Sequence, residues 1–377
     1  MPVFFIFENK KGNEMKILFI TTLDLQIQTF HERTIRDLAE MGHLVDAATN
    51  GTYTTPYIHK KYTVPFRRNP LHPDNLKAKS ILRELIIENG YDIISCHSPT
   101  GGFFGRLAAK GLDTKVIYTA HGFHFWNGSP LINQLAYKNM EKLAAHWTDT
   151  LMTINPEDYE AAKQFTYKPG GKPVYIPGVG VDVKAIQSQK CNRSDVLNEL
   201  GIPESAFVLY SIGELIPRKN HIFVLNTLKN EFLSDPDLHY VICGGGELKE
   251  LTEFITSSHL EKQIHLLGFR KDARRLMYGM DLFVFPSLQE GLPVAVMEAM
   301  AAGRTILASD IRGNHDLIRD GENGYLFKLN DTKEFVDKYR KLRDSEALRN
   351  QFSNQVLEDS SCYSIEEIQP QILKLYY

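Results

Sequence analysis

The chain has 377 residues, and its 43 lysines and arginines against 46 aspartates and glutamates give a formal net charge of −3. This length can supply two separate hydrophobic cores, and the weakly acidic balance argues against a nucleic-acid partner. The four cysteines form no CxxC pair and no metal spacing, which is typical of the reducing cytoplasm. No apolar run reaches the ~18 residues of a membrane-spanning helix.

The first fourteen residues, MPVFFIFENKKGNE, do not resemble a signal peptide, because the apolar part is short and the lysines follow it. We predict that residues 1–14 form a disordered extension. From Met15 onward apolar runs alternate with helical patterns, which predicts a parallel sheet covered by helices. Four prolines make the segment 51–73 irregular. The predicted strands of this half are 16–22, 43–49, 91–97, 115–120, 148–154 and 173–177. Its predicted helices are 29–41, 75–89, 101–110, 131–146 and 156–165.

One histidine lies where a ligand of such a sheet is expected. His121 directly follows the strand 115–120, and ligands of open parallel sheets bind beyond the carboxyl ends of the strands. No glycine-rich loop follows the first strand, which argues against a dinucleotide-dependent oxidoreductase. His121 and His124 could offer two metal ligands, but nothing nearby in the sequence supplies a third, so we predict no metal there.

The sequence PGVGVD, residues 177–182, combines two glycines with a proline and suits a hinge between two domains. The predicted strands beyond it are 207–212, 238–243, 264–267 and 282–285. The predicted helices are 195–200, 331–343, 345–352 and 365–375, with others after the basic pair 218–219, after the glycine run 244–246 and at 293–303.

Two carboxylates stand in the central stretch of this half. Glu290 follows the strand 282–285 on a loop, and Glu298 lies within the helix that Pro293 opens. Glu298 has methionine, valine and alanine neighbours, so its charge would need a partner. The backbone N–H groups around the helix start, those of Gly291, Leu292 and Val294, could bind a phosphate.

The segment EGLPVAVMEAMAAG, with its two glutamates eight residues apart, resembles the signature of family 4 retaining glycosyltransferases. These enzymes have the GT-B fold, an α/β architecture of two facing Rossmann-like domains with a cleft between them. The resemblance extends from Met15 almost to the end of the chain. It implies that Glu298 binds the nucleotide ribose, that Glu290 touches the transferred sugar and that His121 lies beside the reacting sugar. It also implies an acceptor-side domain at 15–182, a nucleotide-sugar domain at 183–362, and a C-terminal helix, 363–377, that packs back on the first domain.

The segment GELIPRKNH departs from the family pattern. An arginine usually follows the glycine, and a lysine comes about five residues later, so that both neutralise the nucleotide diphosphate. Glu214 occupies the arginine position here. We carry over Lys219 and propose Arg218 as the substitute cation. The resemblance further places Gly246, Phe269 and Arg270 on the nucleotide side of the cleft.

By resemblance the chain is a metal-independent, retaining hexosyltransferase. It would use a UDP-linked sugar as substrate, with no cofactor, and a glycan or lipid-linked sugar as acceptor. The setting would be capsule or exopolysaccharide synthesis at the cytoplasmic face of the membrane. Two alternatives stay open, a nucleotide-sugar epimerase on the same fold and a non-catalytic subunit that holds the nucleotide-sugar for a partner.

A basic segment in the first domain mixes cations with aromatic residues, as membrane-surface segments do. Its most basic part contains Lys60, Lys61, Arg67 and Arg68, interleaved with Tyr57, Tyr62 and Phe66. We predict that it docks on an anionic membrane and meets the phosphate of a lipid-linked acceptor.

Overall fold

The computed structural model describes residues 14–126 and 131–377. The predicted extension therefore lies, except for its last residue, outside the described residues. The chain divides into two compact units. The first comprises the residues up to Val179 together with Ile368–Tyr377, and the second comprises Gly180–Glu367. The last ten residues thus belong to the first unit.

The first unit contains a seven-stranded sheet in which every pairing is parallel. Its strands are β1 (Lys16–Leu23), β2 (Leu44–Asn50), β3 (Lys60–Thr63), β4 (Ile93–His97), β5 (Lys115–Ala120), β6 (Thr150–Thr153) and β7 (Lys172–Tyr175). The order is β3-β2-β1-β4-β5-β6-β7. The chain therefore turns to opposite sides of the sheet after β1 and after β4, and such a reversal opens a ligand crevice at the carboxyl ends of the two strands.

Helices cover this sheet because crossovers between parallel strands need a connecting element. They are α1 (Glu32–Glu40), α2 (Asp74–Asn89), α3 (Pro99–Ala109), α4 (Leu131–Ala145) and α5 (Pro156–Ala162). A π-helical turn, Ile27–His31, precedes α1. Gly90 ends α2 in the left-handed region, with φ of 60°. The alternation of strand and helix predicted for this half is confirmed.

The second unit contains a six-stranded parallel sheet with the order β10-β9-β8-β11-β12-β13. Its strands are β8 (Phe207–Ile212), β9 (Leu238–Cys243), β10 (Ile264–Leu266), β11 (Leu282–Phe285), β12 (Ile306–Ser309) and β13 (Tyr325–Phe327). Here the order reverses between β8 and β11. The carboxyl ends of these two neighbouring strands are therefore where a ligand is expected.

The helices of the second unit are mostly short. They are α6 (Val183–Ser188), α7 (Arg193–Leu200), α8 (His221–Thr227), α9 (Lys229–Ser234), α10 (Lys249–Ser257), α11 (Ala273–Leu276), α12 (Val294–Ala301), α13 (Asn314–Leu317), α14 (Thr332–Asp344) and α15 (Glu346–Asp359). The last helix, α16 (Ile365–Leu373), leads into the residues that return to the first unit. In the described residues no helix is both long enough and apolar enough to cross a membrane.

Each unit has its own hydrophobic core, formed by the buried strands and the apolar faces of the helices. The structure also adds elements that the sequence patterns left unassigned. The segment 51–73, expected to be irregular, contains the edge strand β3, which pairs with β2. Only four residues pair there and the strand is half-exposed, so the apolar signal is weak. The strands β12 and β13, of four and three residues, and the helix α6, of six, are also short.

Candidate active site

The site in the second unit is built where β8 and β11 end side by side. After β8 the chain makes a 3₁₀ turn, Pro217–Lys219, before α8 begins at His221. After β11 it forms the loop that carries Glu290 and then enters α12. The two loops therefore bring the basic pair, Arg218 and Lys219, next to Glu290. Lys219 and Glu290 are 71 residues apart in the sequence.

Glu290 accepts hydrogen bonds from both predicted diphosphate-binding cations. Lys219 Nζ lies 2.7 Å and Arg218 Nη1 lies 3.1 Å from Glu290 Oε1. The Glu290 and Lys219 side chains are largely buried, whereas that of Arg218 is 41% exposed. Lys219 Nζ also stands 4.8 Å above the ring of Phe285. One carboxylate facing two cations leaves this cluster with one net positive charge, which an anionic ligand can neutralise.

Further hydrogen bonds hold the two loops together. The Leu288 N–H donates to the Arg218 carbonyl at 2.9 Å. Asn220, in the left-handed region with φ of 56°, donates from Nδ2 to the Pro286 carbonyl at 3.1 Å. The buried Arg312, just beyond β12, donates from Nε to the Glu290 carbonyl at 3.1 Å. The position of Glu290 is thus fixed from three strands of the sheet.

Glu298 lies on α12 and is buried, as its apolar neighbours predicted. Its carboxylate pairs with Arg274, whose Nε and Nη2 lie 2.7 and 2.6 Å from Oε1. Burial raises the pKa of the Glu298 carboxyl, and the Arg274 guanidinium opposes that shift. Arg274 is the partner that Glu298 needs, and its guanidinium side chain is 49% exposed.

The glycine run after β9 packs against the turn after β8. A Cβ on Gly244 would lie only 1.8 Å from the Gly213 carbonyl oxygen, so no other residue fits there. The Leu215 N–H donates to the Gly245 carbonyl at 2.8 Å. Gly246 itself has φ of 99°, which favours glycine. The run therefore has a structural reason of its own, beyond any contact with a nucleotide.

The other predicted nucleotide-side residues differ in exposure. Phe269 follows β10 and is 77% exposed. Arg270 instead pairs with Asp272 at 2.7 Å and with Glu199 at 2.6 Å. Hydrogen bonds from Arg270, and also from Arg275, lower the pKa of both carboxyls. The side chain of Arg270 thus takes part in a surface ion-pair network.

The three residues predicted to present N–H groups lie at the start of α12. Gly291 and Leu292 precede Pro293, and Val294 is the first residue of the helix. Gly313, with φ of 85°, packs against this loop, since a Cβ there would lie 2.6 Å from the Gly291 carbonyl oxygen.

In the first unit, His121 directly follows β5 at the carboxyl edge of the sheet, as predicted. Its neighbours are not the ones that the sequence suggested. One ring nitrogen of His121 lies within 4.8 Å of a nitrogen of His31 and of His97. Burial lowers the pKa of His121 to about 4 and also lowers those of His31 and His97. Two further imidazoles from distant parts of the chain, and not His124, therefore lie beside His121.

The basic segment of the first unit is less available than its sequence suggested. Lys61 Nζ donates to the Gly51 carbonyl at 2.6 Å and lies 3.8 Å from Asp24. Phe66 is buried in the core. Arg67 pairs with Asp74 at 3.1 Å, and Lys60 and Arg68 are exposed.

Sequence reasoning missed Arg274, Arg312, His31 and His97. Arg274 and Arg312 belong to different strand–helix connections, so no local spacing links them to the glutamates. His31 and His97 stand 90 and 24 residues before His121. The signal that could have found them is topological, because His97 ends β4 and His31 follows β1, the two strands at the reversal.

Two open parallel sheets with polar side chains at their carboxyl edges define a protein of the GT-B class of folds. Residues 27–184 match the family Glycosyltransferase Family 4, and residues 192–359 match Glycosyl transferases group 1. The chain is 37% identical to a protein of Bacillus subtilis (strain 168) named "Putative glycosyltransferase EpsD", over 87% of each chain. The chain therefore belongs to the family 4 glycosyltransferases.

Two further relatives have names that state the transferred sugar and the acceptor. A UDP-Gal:alpha-D-GlcNAc-diphosphoundecaprenol alpha-1,3-galactosyltransferase of Escherichia coli is 32% identical over 73% of this chain and 72% of its own. An N,N'-diacetylbacillosaminyl-diphospho-undecaprenol alpha-1,3-N-acetylgalactosaminyltransferase of Campylobacter jejuni is 35% identical over 82% of this chain and 84% of its own. Among solved structures, sucrose-phosphate synthase of Thermosynechococcus elongatus matches with a TM-score of 0.78 at 16% identity, over 96% of this chain and 98% of that one. Anabaena HepE in complex with UDP and glucose matches with a TM-score of 0.77 at 19% identity, over 96% of this chain and 99% of that one. These two likenesses support the GT-B fold.

Proposed function

We propose that this glycosyltransferase moves a hexose or N-acetylhexosamine from a UDP-sugar to a hydroxyl of a lipid-linked sugar, with retention of the anomeric configuration. The observation that carries this proposal is the pairing of Glu290 with Lys219 and Arg218 at the reversal between β8 and β11. The names of the Escherichia coli and Campylobacter jejuni relatives support a prenyl-diphosphate-linked acceptor, and the former supports UDP.

The donor would use the second unit. The half-exposed Arg218 turns from Glu290 to the diphosphate, and Lys219 donates a further N–H to it while staying beside Glu290. The N–H groups at the start of α12 also bind the diphosphate. Glu298 accepts hydrogen bonds from the ribose hydroxyls, and the half-exposed Arg274 can move aside or share the carboxylate. Gly246 and Phe269 line the nucleotide, while Arg270 supports the same edge through its ion pairs.

In the transfer step the bond between the anomeric carbon and the phosphate oxygen breaks. Negative charge grows on the leaving UDP, so Lys219 and Arg218 stabilise the transition state more than the ground state. The acceptor oxygen forms the new bond on the same face, and its proton passes to the departing phosphate oxygen. Glu290 and His121 act on the transferred sugar. In this scheme the reaction requires no metal ion and no cofactor.

A lipid-linked acceptor would bring the enzyme to the cytoplasmic face of a membrane, in the synthesis of a capsule or exopolysaccharide. The exposed Lys60 and Arg68 would contribute to contact with anionic lipid. Lys61 and Arg67 contribute less, because Asp24 and Asp74 already offset their charges.

The test is a panel of nucleotide-sugars incubated with the full chain, first alone and then with undecaprenyl-diphosphate-linked monosaccharides. We expect slow hydrolysis of one UDP-sugar without acceptor and fast transfer with acceptor. NMR of the product gives the anomeric configuration. A changed sugar nucleotide formed without acceptor would indicate an epimerase. Tight UDP-sugar binding without turnover under either condition would indicate a non-catalytic subunit.

A further inference from the structure

We propose that His31, His97 and His121 form a binding site for a divalent transition metal such as Zn²⁺. One nitrogen of each ring lies within 4.8 Å of those of the other two. Throughout residues 14–126 and 131–377, no other group of three or more potential metal ligands meets this spacing. Histidine nitrogen is a common ligand of Zn²⁺, Ni²⁺ and Cu²⁺, and three such ligands leave a position for water.

The three rings have unsatisfied hydrogen-bonding atoms that a metal would use. Nε2 of His31, Nδ1 of His97 and Nε2 of His121 are each buried without a hydrogen-bond partner among the described residues. Buried polar atoms are normally paired, so three unpaired nitrogens in one cluster indicate a shared partner.

A second layer of contacts orients His97. Its Nε2 lies 3.0 Å from Ser95 Oγ, which in turn lies 2.7 Å from the hydroxyl of Tyr376. The His97 ring also stacks on Phe19, with 5.5 Å between centroids. When Nε2 carries the proton toward Ser95, the unpaired Nδ1 is free to bind a metal. Metal-ligating histidines typically have such a partner on the other nitrogen.

The backbone places each ligand on a different element. His31 ends the π-helical turn Ile27–His31, a rare conformation that is frequent at functional sites. His97 ends β4, and His121 follows β5. Tetrahedral zinc, with Zn–N of about 2.0–2.1 Å, holds its ligand nitrogens about 3.4 Å apart. From a separation of 4.8 Å, the ligand nitrogens would need to close by up to about 1.4 Å. The rings of His31 and His97, whose centroids are 3.8 Å apart, would also need to turn toward a common ion. The site goes beyond the proposed transfer reaction, which uses no metal. Because His121 is also assigned to the transferred sugar, a bound metal would compete with that contact.

The test uses the full chain, freed of metal by chelation, with Zn²⁺ and Co²⁺ as probes. Competition with a chromophoric chelator should give one tight Zn²⁺ site per chain. Co²⁺ should give the intense visible bands of four- or five-coordinate metal, a readout that is independent of sugar transfer. Weak Zn²⁺ binding in the wild type, or Co²⁺ bands typical of six-coordinate aqueous ion, would overturn the proposal.

Variants locate the site. His97→Phe keeps an aromatic ring against Phe19 and should weaken Zn²⁺ binding by about 100-fold or more, as should His31→Asn. Ser95→Ala should weaken it by about tenfold, through the orientation of His97. His146→Gln, at an exposed histidine on the same unit, is the matched control and should bind as the wild type does. Equal affinity and stoichiometry in the wild type and in a folded His97→Phe or His31→Asn variant would overturn the assignment.

Discussion

The first and the second unit each contain buried carboxylates in ion pairs, but the pairs are of different kinds. In the first, Arg106 Nη2 lies 2.7 Å from Glu141, and the guanidinium stands 3.7 Å above the ring of Tyr118. In the second, Glu290 and Glu298 are about as buried as Glu141, with side chains 10%, 8% and 11% exposed.

The difference lies in the cations. The Arg106 side chain is fully buried, whereas those of Arg218 and Arg274 are 41% and 49% exposed. Lys219, the second partner of Glu290, is 13% exposed, but its ammonium has three N–H groups and can bind a ligand without leaving the carboxylate. A buried cation cannot leave its carboxylate without a large desolvation cost, so the Arg106 pair is part of the core. A half-exposed cation can exchange its partner for a ligand at little cost. The three carboxylates are therefore about equally buried but differ in role. The Arg106–Glu141 pair is structural, whereas the pairs that Glu290 and Glu298 form with their arginines are suited to binding a ligand.

The largest expected effect is on stability. Arg106→Met should lower the free energy of unfolding by ~3–5 kcal/mol, because it leaves Glu141 buried without its cation. The double variant Arg106→Met/Glu141→Leu should recover most of this loss. Urea denaturation followed by circular dichroism measures both. If the double variant is as unstable as the single one, the loss arises from packing and not from charge.

Glu298→Ala should weaken UDP binding by ~2–4 kcal/mol, given the strength of charge-assisted hydrogen bonds to the ribose. Calorimetry with UDP measures it. Arg274→Ala is the informative partner, since it removes the cation that competes with the ribose for the carboxylate. It should leave the UDP affinity unchanged or higher. A loss equal to that of Glu298→Ala would mean that the pair binds the nucleotide as a unit.

Arg218→Ala tests whether the basic pair replaces the cation displaced by Glu214. We expect UDP to bind more weakly by ~1.5–3 kcal/mol, the range for hydrogen bonds to charged groups, and uridine to bind as before. The same calorimetric titration with both ligands separates a diphosphate contact from a general effect. Equal losses for the two would identify Arg218 as a surface charge without a role in binding.

Most of the elements and the two glutamates were predictable because short-range patterns define them, whereas β3, β12, β13 and α6 are too short to give such a pattern. The buried strands are continuous apolar runs, and α12 begins directly after a proline. The partners of the glutamates were only partly predictable. Lys219 and Arg218 came from a family pattern, whereas Arg274 and Arg312 follow other strands and meet the site only through the order of the sheet. His31 and His97 were not predicted, for the same reason. In the basic segment the aromatic Phe66 was expected to face the membrane, but it packs into the core.

Glu290→Gln should separate affinity from turnover. Removing the negative charge that faces Lys219 and Arg218 leaves these cations to the diphosphate, so UDP should bind at least as tightly as in the wild type. The transfer rate should fall by about tenfold or more, a loss of ~1.4 kcal/mol in transition-state stabilisation. His121→Ala should likewise reduce turnover and spare UDP affinity. If either variant loses UDP as Glu298→Ala does, its contact is with the nucleotide and not with the sugar.

The smallest expected effect per residue, about 1 kcal/mol, extends the comparison of cations to those that could face the membrane. Lys60 and Arg68 are exposed and make no ion pair with a described residue, whereas Lys61 lies near Asp24 and Arg67, although 56% exposed, pairs with Asp74. Because a basic residue near an anionic bilayer contributes about 1 kcal/mol, Lys60→Ser/Arg68→Ser should weaken liposome binding by ~2 kcal/mol at low salt.

The variant Lys61→Ser/Arg67→Ser carries the same formal charge change and is the matched control, with a much smaller expected loss. Co-sedimentation with phosphatidylserine-containing vesicles at low and high salt measures both, and high salt should remove the difference by screening. Equal losses for the two pairs would mean that the ion pairs do not withhold charge from the lipid. Wild-type binding that ignores salt would instead point to the exposed apolar side chains of α4, among which Leu131, Ile132 and Leu135 are 77%, 76% and 68% exposed.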